Sequence, residues 1–371
     1  MNKHTDLFST FPPAGKAAWT NAASAEIEGK NPFEALAWEN LGVKGAPHYD
    51  ASEPRNEKFN LPVSDEPFLG PRCWYNMPVI KVLDEENANK AALKKLTGGA
   101  DGILFDVVKK ESLWLDTLLK NIDWPFCQVS FIIPDNPEIF FSSLENFLNE
   151  KKFEPGSIKG FVLLKTYPHH PQSLHKVVHS LNSYRNLKLV GITSTHANPT
   201  EHISDLLANA VTKIDMLTES GLTPDAALRQ VFFSIDAGND FFIELTKLKV
   251  LRILWERIVT AYKSAHPYDA YIHVFCKAWH NEAFQPHENM LAGTTRGLSA
   301  VLGGCSSLTH EAAAPEEHLD RIALNISNIL REESHINKVA DPTAGAYYLE
   351  HLCNELSDAA WTSFLTKINQ A

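Results

Sequence analysis

The sequence predicts an α/β fold, a (β/α)8 barrel of the TIM type with an extended N-terminal arm. From residue 102 onward, short apolar runs alternate with longer stretches that have apolar residues at helical spacing. Most of the short runs are continuously apolar, which is typical of parallel strands covered on both faces. About eight strand–helix repeats indicate a barrel. A doubly wound open sheet is the alternative, but the glycine-rich phosphate turn expected early in that fold is not in the sequence.

The predicted strands are short β-type runs, and the eighth is weak. They lie at 102–108, 127–133, 160–165, 187–193, 230–236, 271–277, 305–310 and 337–342. Helical periodicity is clearest at 137–150, 200–220, 239–263 and 315–334. The helix at 200–220 opens with Thr200, a residue type favoured at N-caps, and ends just before Gly221.

The first 70 residues differ from the rest, so we predict two regions: an arm at 1–70 and a barrel at 71–371. Proline, glycine, asparagine and acidic residues are scattered through the arm, and only 16–30 has a helical pattern. Apolar anchors such as Trp19 and Trp38 favour an arm that wraps the barrel or a partner chain over a disordered tail.

Charge and cysteine content narrow the class of protein. The formal net charge of −11 at pH 7 disfavours nucleic acid and anionic membranes as partners. No apolar run reaches the roughly 18 residues of a transmembrane helix, and the N-terminus lacks the apolar region of a signal peptide. The five cysteines are odd in number, widely spaced and mostly set in apolar runs, which is typical of reduced thiols in the cytoplasm.

Histidines cluster between 169 and 179 without forming a recognisable metal site. His169 and His170 are adjacent, and His175 and His179 are spaced for one face of a helix. Such residues among prolines and polar side chains are more often a solvent-facing surface, and the Cys/His spacing of structural metal sites is absent. We therefore predict no bound metal.

Position alone suggests His196 and the GGCSS stretch as candidates for functional chemistry. His196 follows the strand at 187–193, and catalytic residues of barrels lie at the carboxyl ends of strands. A histidine held within a loop fits the sequence equally well. Gly303 and Gly304 allow either close approach of a ligand or a tight turn from helix to strand, and the turn is favoured. No Walker loop, G-x-S-x-G elbow or H-E-x-x-H motif is present.

Four long stretches resemble the methylmalonyl-CoA mutase family. They are FPPAGKAAWTNAASAEIEGKNPFEALAW (11–38), GNDFFIELTKLKVLRILW (238–255), QPHENMLAGTTRGLSAVLGGCSSL (285–308) and RIALNISNILREESHINKVADPTAGAYYLE (321–350). In the family the last stretch reads R-I-A-R-N-x-x-x-I-L-x-E-E-S-x-x-x-x-V-x-D-P-x-G-G-S-Y-Y, and a match of that length is specific. The resemblance covers essentially the whole chain.

The resemblance implies a fold and a chemistry. The family's barrel encloses an acyl-CoA with its pantetheine threaded along the axis, and a separate flavodoxin-like domain brings adenosylcobalamin to the barrel mouth. The cofactor starts a radical rearrangement between methylmalonyl-CoA and succinyl-CoA. The D-x-H-x-x-G signature of the cobalamin domain is absent from this sequence. Adenosylcobalamin of the holoenzyme is therefore expected on another chain or domain, and none on this chain alone.

Four residues take the places of the family's site residues. His196 falls on the histidine that contacts the substrate thioester, and His273 falls on a second site histidine. Gln230 replaces the arginine that grips a CoA phosphate, and Ser306 replaces the glutamine that follows the double glycine. Gln230, His273 and Ser306 are thus the candidate substrate-binding positions. We expect His196 to be a relic or a structural residue.

Further ligand contacts of the family are replaced, and the arginine that meets the substrate carboxylate has only Lys165 nearby. The other replaced positions are Phe232, Ser234, Phe275, Gln285 and His287. Losing an arginine–phosphate pair and a buried polar contact each costs a few kcal/mol of affinity, on the order of 1–3 kcal/mol. The sequence therefore argues against tight binding of a CoA thioester by this chain.

This pattern looks like the small, non-catalytic subunit of the heterodimeric bacterial enzyme, a cytoplasmic isomerase of propionate metabolism. Its partner is then the large catalytic subunit. One alternative is the acyl-CoA-binding half of a split mutase that works with a separate cobalamin-binding chain. Another is a homodimeric binding protein for a different ligand in the remodelled barrel.

Overall fold

The computed structural model describes residues 15–53, 59–108, 113–134, 137–165, 171–278 and 286–370. Within these ranges, parallel strands form a ring surrounded by helices. Two strands of the arm, β1 Trp38–Asn40 and β2 Val43–Gly45, form a separate antiparallel pair. The strands of the ring are β3 Tyr75–Asn76, β4 Val79–Val82, β5 Gly102–Val107, β6 Gln128–Ile133, β7 Gly160–Leu164, β8 Leu187–Lys188, β9 Val190–Ile192, β10 Val231–Asp236, β11 Ile272–Cys276 and β12 Ser307–His310.

The ring is an eight-stranded barrel, because two of its strands are each interrupted once. β3 and β4 are separated only by Met77 and Pro78, and β8 and β9 only by Leu189. The sheets β3-β12-β11-β10-β9 and β4-β5-β6-β7-β8 therefore join at both interruptions. Neighbouring barrel strands are parallel, and β12 meets β3 with Ser307 opposite Tyr75. The predicted (β/α)8 barrel is confirmed.

One strand of the barrel was not predicted, and the last predicted strand is wrong. The candidate at 337–342 is not a strand, and a 3-10 helix runs over Ile336–Lys338 instead. The missing strand lies at 75–82, before all the others. Its apolar run is broken by Pro78, which lacks an N–H for the ladder, and by Lys81, so continuous hydrophobicity does not reveal it.

Helices follow the strands and cover the barrel. They are α1 Lys16–Glu26, α2 Pro32–Ala35, α3 Glu85–Thr97, α4 Leu115–Leu118, α5 Pro137–Lys151, α6 Pro171–Ser180, α7 Pro199–Glu219, α8 Pro224–Gln230, α9 Phe241–Ala261, α10 Pro286–Leu302, α11 Glu317–Glu332 and α12 Tyr347–Gln370. The helices predicted at 137–150, 200–220, 239–263 and 315–334 are confirmed as α5, α7, α9 and α11. The cap of α7 is corrected: Asn198, not Thr200, accepts the N–H of Glu201 at 3.1 Å.

Apolar side chains separate into an outer and an inner layer. Along β5, Ile103 and Phe105 join the large cluster between the barrel and its helices, whereas Leu104 joins a small cluster inside the barrel. This alternation follows from the two-residue period of a strand. On the outside, α12 packs against α7 and α9.

The described part of the arm lies against α9 and α12. Trp38 and Tyr49 both contact the ring of Tyr348, with centroids 6.3 and 5.3 Å apart. Asn40 Nδ2 donates to Asp240 Oδ2 at 2.6 Å. By contrast, α1 has no buried residue.

Two kinds of feature, a membrane-spanning helix and a metal site, are absent from the residues that the structure describes. No helix there is long and apolar enough to cross a bilayer. No three His, Cys, Asp or Glu side chains in that part of the chain come together as a metal site. The rings of His175 and His179 stack 5.8 Å apart on α6, and His169 and His170 lie outside the described residues. All five cysteines are free thiols.

Candidate functional site

The axis of the barrel is filled by large apolar side chains. Met77, Leu104, Ile132, Phe161 and Phe232 form the inner cluster. The rings of Phe161 and Phe232 are 4.8 Å apart, and of the five side chains only Ile132, at 8%, is exposed at all. In the part of the chain that the structure describes, the axis is therefore occupied by packed side chains.

His273 lies in this packed interior on β11. Its Nδ1 is 2.9 Å from Ser307 Oγ on β12, and its ring lies 4.8 Å from that of Phe161. Burial lowers the pKa of His273 to about 3, so the imidazole is neutral at pH 7. Its Nε2 has no hydrogen-bond partner among the described residues. His273 is enclosed by the filled axis.

Gln230 is fully buried where α8 runs into β10. Its backbone carbonyl accepts the N–H of Leu189 at 3.2 Å. The side-chain Nε2 and Oε1 find no partner in the part of the chain that the structure describes. The adjacent Arg229 donates to Asn182 Oδ1 at 2.5 Å, so its guanidinium is engaged elsewhere. A neutral amide at Gln230 cannot neutralise a phosphate as an arginine does.

Ser306 faces the outer layer of the barrel. Its Oγ accepts the N–H of Ile272 at 3.1 Å and Nη2 of Arg252, on α9, at 3.2 Å. The next residue, Ser307, is the one that meets His273 inside the barrel. One step along a strand reverses the face. The side chain of Ser306 therefore does not enter the axis.

His196 lies in the loop between β9 and α7, with 54% of its side chain exposed. Its Nε2 is 2.8 Å from Asp205 Oδ2 on α7, and Asp205 is also ion-paired with Lys367 of α12. The three residues before it, 193–195, line the barrel mouth, and His196 does not. His196 thus belongs to a surface network that joins the loop to two outer helices.

The carboxyl ends of the strands surround an open cavity of about 500 Å³, at the end of the barrel where catalytic groups of such enzymes lie. The inner cluster forms its floor, through Ile132. Lys165 pairs with Asp106 at 2.9 Å, and Lys277 pairs with Asp236 at 2.6 Å. The charged residues of the rim are Lys81, Asp106, Lys165, Asp236, Lys277 and Glu311. Its positive and negative charges are balanced.

The remaining replaced positions lie around the same features. Phe232 belongs to the inner cluster, and Ser234 and Phe275 line the mouth. His287 is an exposed residue of α10, and Gln285 lies outside the described residues. Phe232 and Phe275 thus place bulky side chains in or against the inner cluster.

The amino ends of the strands carry a polar layer that the sequence did not single out. Oε1 of Glu66, an arm residue, accepts hydrogen bonds from Lys159 Nζ at 2.5 Å and from Tyr75 OH at 2.7 Å. Tyr271 OH donates to Gln128 Oε1 at 2.7 Å. Burial raises the pKa of both tyrosines, so the phenols stay neutral. Both tyrosines pack against the inner cluster, and the layer lies across the end of the axis opposite the mouth.

The double glycine forms the tight turn from α10 to β12. A Cβ on Gly303 would lie 2.7 Å from the backbone oxygen of Leu245 in α9, and one on Gly304 would lie 2.6 Å from Leu61 of the arm. Gly304 also has a φ of +90°, which side chains rarely adopt. The two glycines let α9 and the arm approach the turn closely.

These features define a (β/α)8 barrel protein whose axis is filled by side chains. Residues 158–371 match the sequence profile of the methylmalonyl-CoA mutase family. The chain belongs to that family.

Curated relatives carry subunit names. The chain is 27% identical over 395 residues to the methylmalonyl-CoA mutase small subunit of Porphyromonas gingivalis, covering 97% of this chain and 64% of that protein. It is 33% identical over 173 residues to the small subunit of Streptomyces virginiae, covering 45% of this chain and 28% of that one. It is 27% identical over 351 residues to the 2-hydroxyisobutanoyl-CoA mutase large subunit of Aquincola tertiaricarbonis, covering 87% and 60%. The chain spans less than two thirds of the length of each.

Proposed function

We propose that this chain is the small, non-catalytic subunit of an adenosylcobalamin-dependent methylmalonyl-CoA mutase, which interconverts methylmalonyl-CoA and succinyl-CoA. It would support the large catalytic subunit in a cytoplasmic heterodimer of propionate metabolism. The observation that carries the proposal is the filled axis. Phe161 and Phe232 occupy the path along which the family threads pantetheine.

Opening a channel along this axis is energetically expensive. Removing one buried phenylalanine from a core typically costs about 3–5 kcal/mol. The rings of Phe161 and Phe232 are in contact, so both would have to leave together. Because a whole domain is stable by only about 5–15 kcal/mol, a ligand that displaced both rings would threaten the fold.

The polar groups that would hold a CoA ester are also unsuited to that role. Gln230 carries no charge, and Ser306 is bound to Arg252 on the outer face. His196 is held by Asp205 at the surface. These placements support the proposal that His196 is a relic or structural residue.

Adenosylcobalamin, when bound to the holoenzyme, supplies the radical that starts the rearrangement. The described residues that line the mouth of this barrel include no histidine and no cysteine. None of them offers an imidazole or a thiolate as a ligand to cobalt. We propose that another chain or domain holds the cofactor, as the family resemblance implies.

The proposal treats residues 1–70 as an arm that contacts the large subunit and 71–371 as the barrel. The arm's helix α1 supports this division. Trp19 of this helix contacts the rings of Phe33 and His48, but none of its 11 residues is buried, and a helix of that length is marginal in water on its own. A partner surface over α1 would stabilise it.

His273 favours a second candidate, the acyl-CoA-binding half of a split mutase. Its free Nε2 is the kind of group that would meet a thioester. Against this candidate, the ring of Phe161 lies against the imidazole, and the axis leaves no room for pantetheine. The subunit role is therefore the better supported of the two.

The test combines the purified chain with the large catalytic subunit from the same organism. We expect a one-to-one complex in native mass spectrometry. With adenosylcobalamin, the complex should turn over methylmalonyl-CoA and this chain alone should not. His273→Phe in this chain should leave kcat of the complex within about twofold. Turnover by this chain alone, or a loss of about tenfold or more in a variant complex that assembles normally, would contradict the proposal.

A further inference from the structure

A second cavity lies at the end of the barrel opposite the mouth. It has a volume of about 650 Å³, within the usual range of small-molecule sites. It is bounded by arm residues 59–62, by the C-terminal half of α9 and by the loop at 263–270 that leads into β11. The proposed subunit role makes no use of it.

Arg252 lines this cavity, and no carboxylate among the described residues pairs with it. Its Nε and Nη2 donate to the carbonyl of Gly304 at 3.1 and 2.5 Å, and Nη2 also reaches Ser306 Oγ at 3.2 Å. All these acceptors are neutral. No described residue accepts a hydrogen bond from Nη1 of Arg252. Asp269 also lines the cavity but is not ion-paired with Arg252. Burial lowers the pKa of Arg252 to about 10, so it remains charged at pH 7.

A second arginine lies close to the first. Arg72 is 5% exposed, and its Nη2 donates to the carbonyl of Cys73 at 3.2 Å. Its Nε and Nη1 have no partner among the described residues. After burial, the charge of Arg72 contributes to lowering the pKa of Arg252. The buried carboxylate of Asp341 is already paired with Lys249 at 2.7 Å.

Arg252 and Arg72 are buried cations without a paired carboxylate among the described residues, although the chain as a whole has a net charge of −11. A buried charge without a partner is costly, and a bound counter-ion removes that cost. The rim of the cavity is mixed in charge, with Glu256, Asp269 and Lys263, so the excess of positive charge lies at the Arg252 end. The walls between are apolar and include Ile253 and Val259.

We propose that this cavity binds a small organic anion. Its carboxylate or phosphate oxygens accept hydrogen bonds from Arg252 Nη1, and its apolar part lies against Ile253 and Val259. The site is separate from the barrel axis and does not depend on the subunit role.

The test titrates the full chain with butyrate, phenyl phosphate and inorganic phosphate, by calorimetry and ligand-observed NMR. The first two probes separate the carboxylate from the phosphate source, and the third asks whether an apolar body is needed. We expect one organic anion to bind with a dissociation constant below about 1 mM, at least about tenfold more tightly than inorganic phosphate. If inorganic phosphate bound as tightly as the organic anions, the apolar wall would have no role in binding and the proposal would be overturned.

Two variants locate the binding. Ala265 is an exposed residue of the cavity wall, so Ala265→Trp fills the space without touching the core and should weaken binding about tenfold or more. Ala359→Trp, at an exposed position of α12, is the matched control and should bind as the unmodified chain does. Arg252→Lys keeps the charge but loses the planar fork, and should also weaken binding. Unchanged binding in Ala265→Trp, or no saturable binding of any probe at about 10 mM, overturns the proposal.

Discussion

The rings of Phe161 and Phe232 meet inside the barrel with their centroids 4.8 Å apart. Phe161 comes from β7 and Phe232 from β10, and neither side chain is exposed. While these two rings are in contact, a ligand cannot be threaded along the axis. The mutase family fold is therefore retained here in a form whose interior contributes stability.

Truncation of the axis should destabilise the fold. Phe232→Ala is expected to lower the free energy of unfolding by about 3–5 kcal/mol, because it leaves a cavity in a packed core. Urea denaturation measures the change. Phe126→Ala, with its side chain 87% exposed, is the control and should stay within about 0.5 kcal/mol. Similar small losses in both variants would mean that the axis is loosely packed.

The buried ion pair between Lys249 and Asp341 should matter far more than an exposed one. Their side chains are 4% and 5% exposed, and Nζ lies 2.7 Å from Oδ2. Lys249→Met leaves a buried carboxylate unpaired and should cost about 3–5 kcal/mol in urea denaturation. Lys94→Met breaks a pair with Glu317 whose side chains are 70% and 82% exposed, and should cost at most about 1 kcal/mol. Equal losses of stability in the two variants would contradict the burial of the pair between Lys249 and Asp341.

Stability should fall on mild acidification because buried histidines resist protonation. Burial lowers the pKa of His273 to about 3, against about 6.5 when unfolded. Between these values the unfolded chain binds a proton that the folded chain does not, so stability is lost as the pH falls below about 6.5. His273→Phe should therefore lose about 2–3 kcal/mol less than the unmodified chain between about pH 6.5 and 4.5. Urea denaturation at the two pH values measures this, and equal losses would refute it.

The turn before β12 should not tolerate a methyl group. A Cβ on Gly303 would lie 2.7 Å from the backbone oxygen of Leu245, so Gly303→Ala forces α9 to shift and should cost about 1–3 kcal/mol. Gly156→Ala is the control, since a Cβ there meets nothing within 4 Å, and should change stability by less than about 0.5 kcal/mol. Thermal denaturation compares the two. A tolerant Gly303 would show that α9 does not approach the turn as described.

Much of the fold follows from the sequence because strands covered on both faces form continuous apolar runs. The first barrel strand escapes this rule, since Pro78 and Lys81 interrupt it. The prediction of a strand at 337–342 is wrong because of a tertiary contact. Asp341 there is drawn into a buried pair with Lys249, a contact between segments far apart in the chain that no local pattern announces.

The site is harder to predict than the fold. Which side chains point into the barrel, and which of them touch, depends on the register between neighbouring strands. The sequence places Ser306 and Ser307 side by side, but only the pairing with β11 shows that Ser307 faces inward. The layer around Glu66 joins the arm to separate strands, so it has no sequence signature. The sequence did show that Phe232 and Gln230 replace small or charged residues of the family, and the structure places Phe232 in the inner cluster.

The most direct test is calorimetric titration of the purified chain with methylmalonyl-CoA and, separately, with free coenzyme A. The filled axis predicts no saturable binding of methylmalonyl-CoA at about 1 mM ligand. Weak binding common to both ligands, and abolished by Ala265→Trp, would belong to the second cavity. Micromolar binding of methylmalonyl-CoA that survives Ala265→Trp would contradict the account, because the axis would then open to admit the substrate.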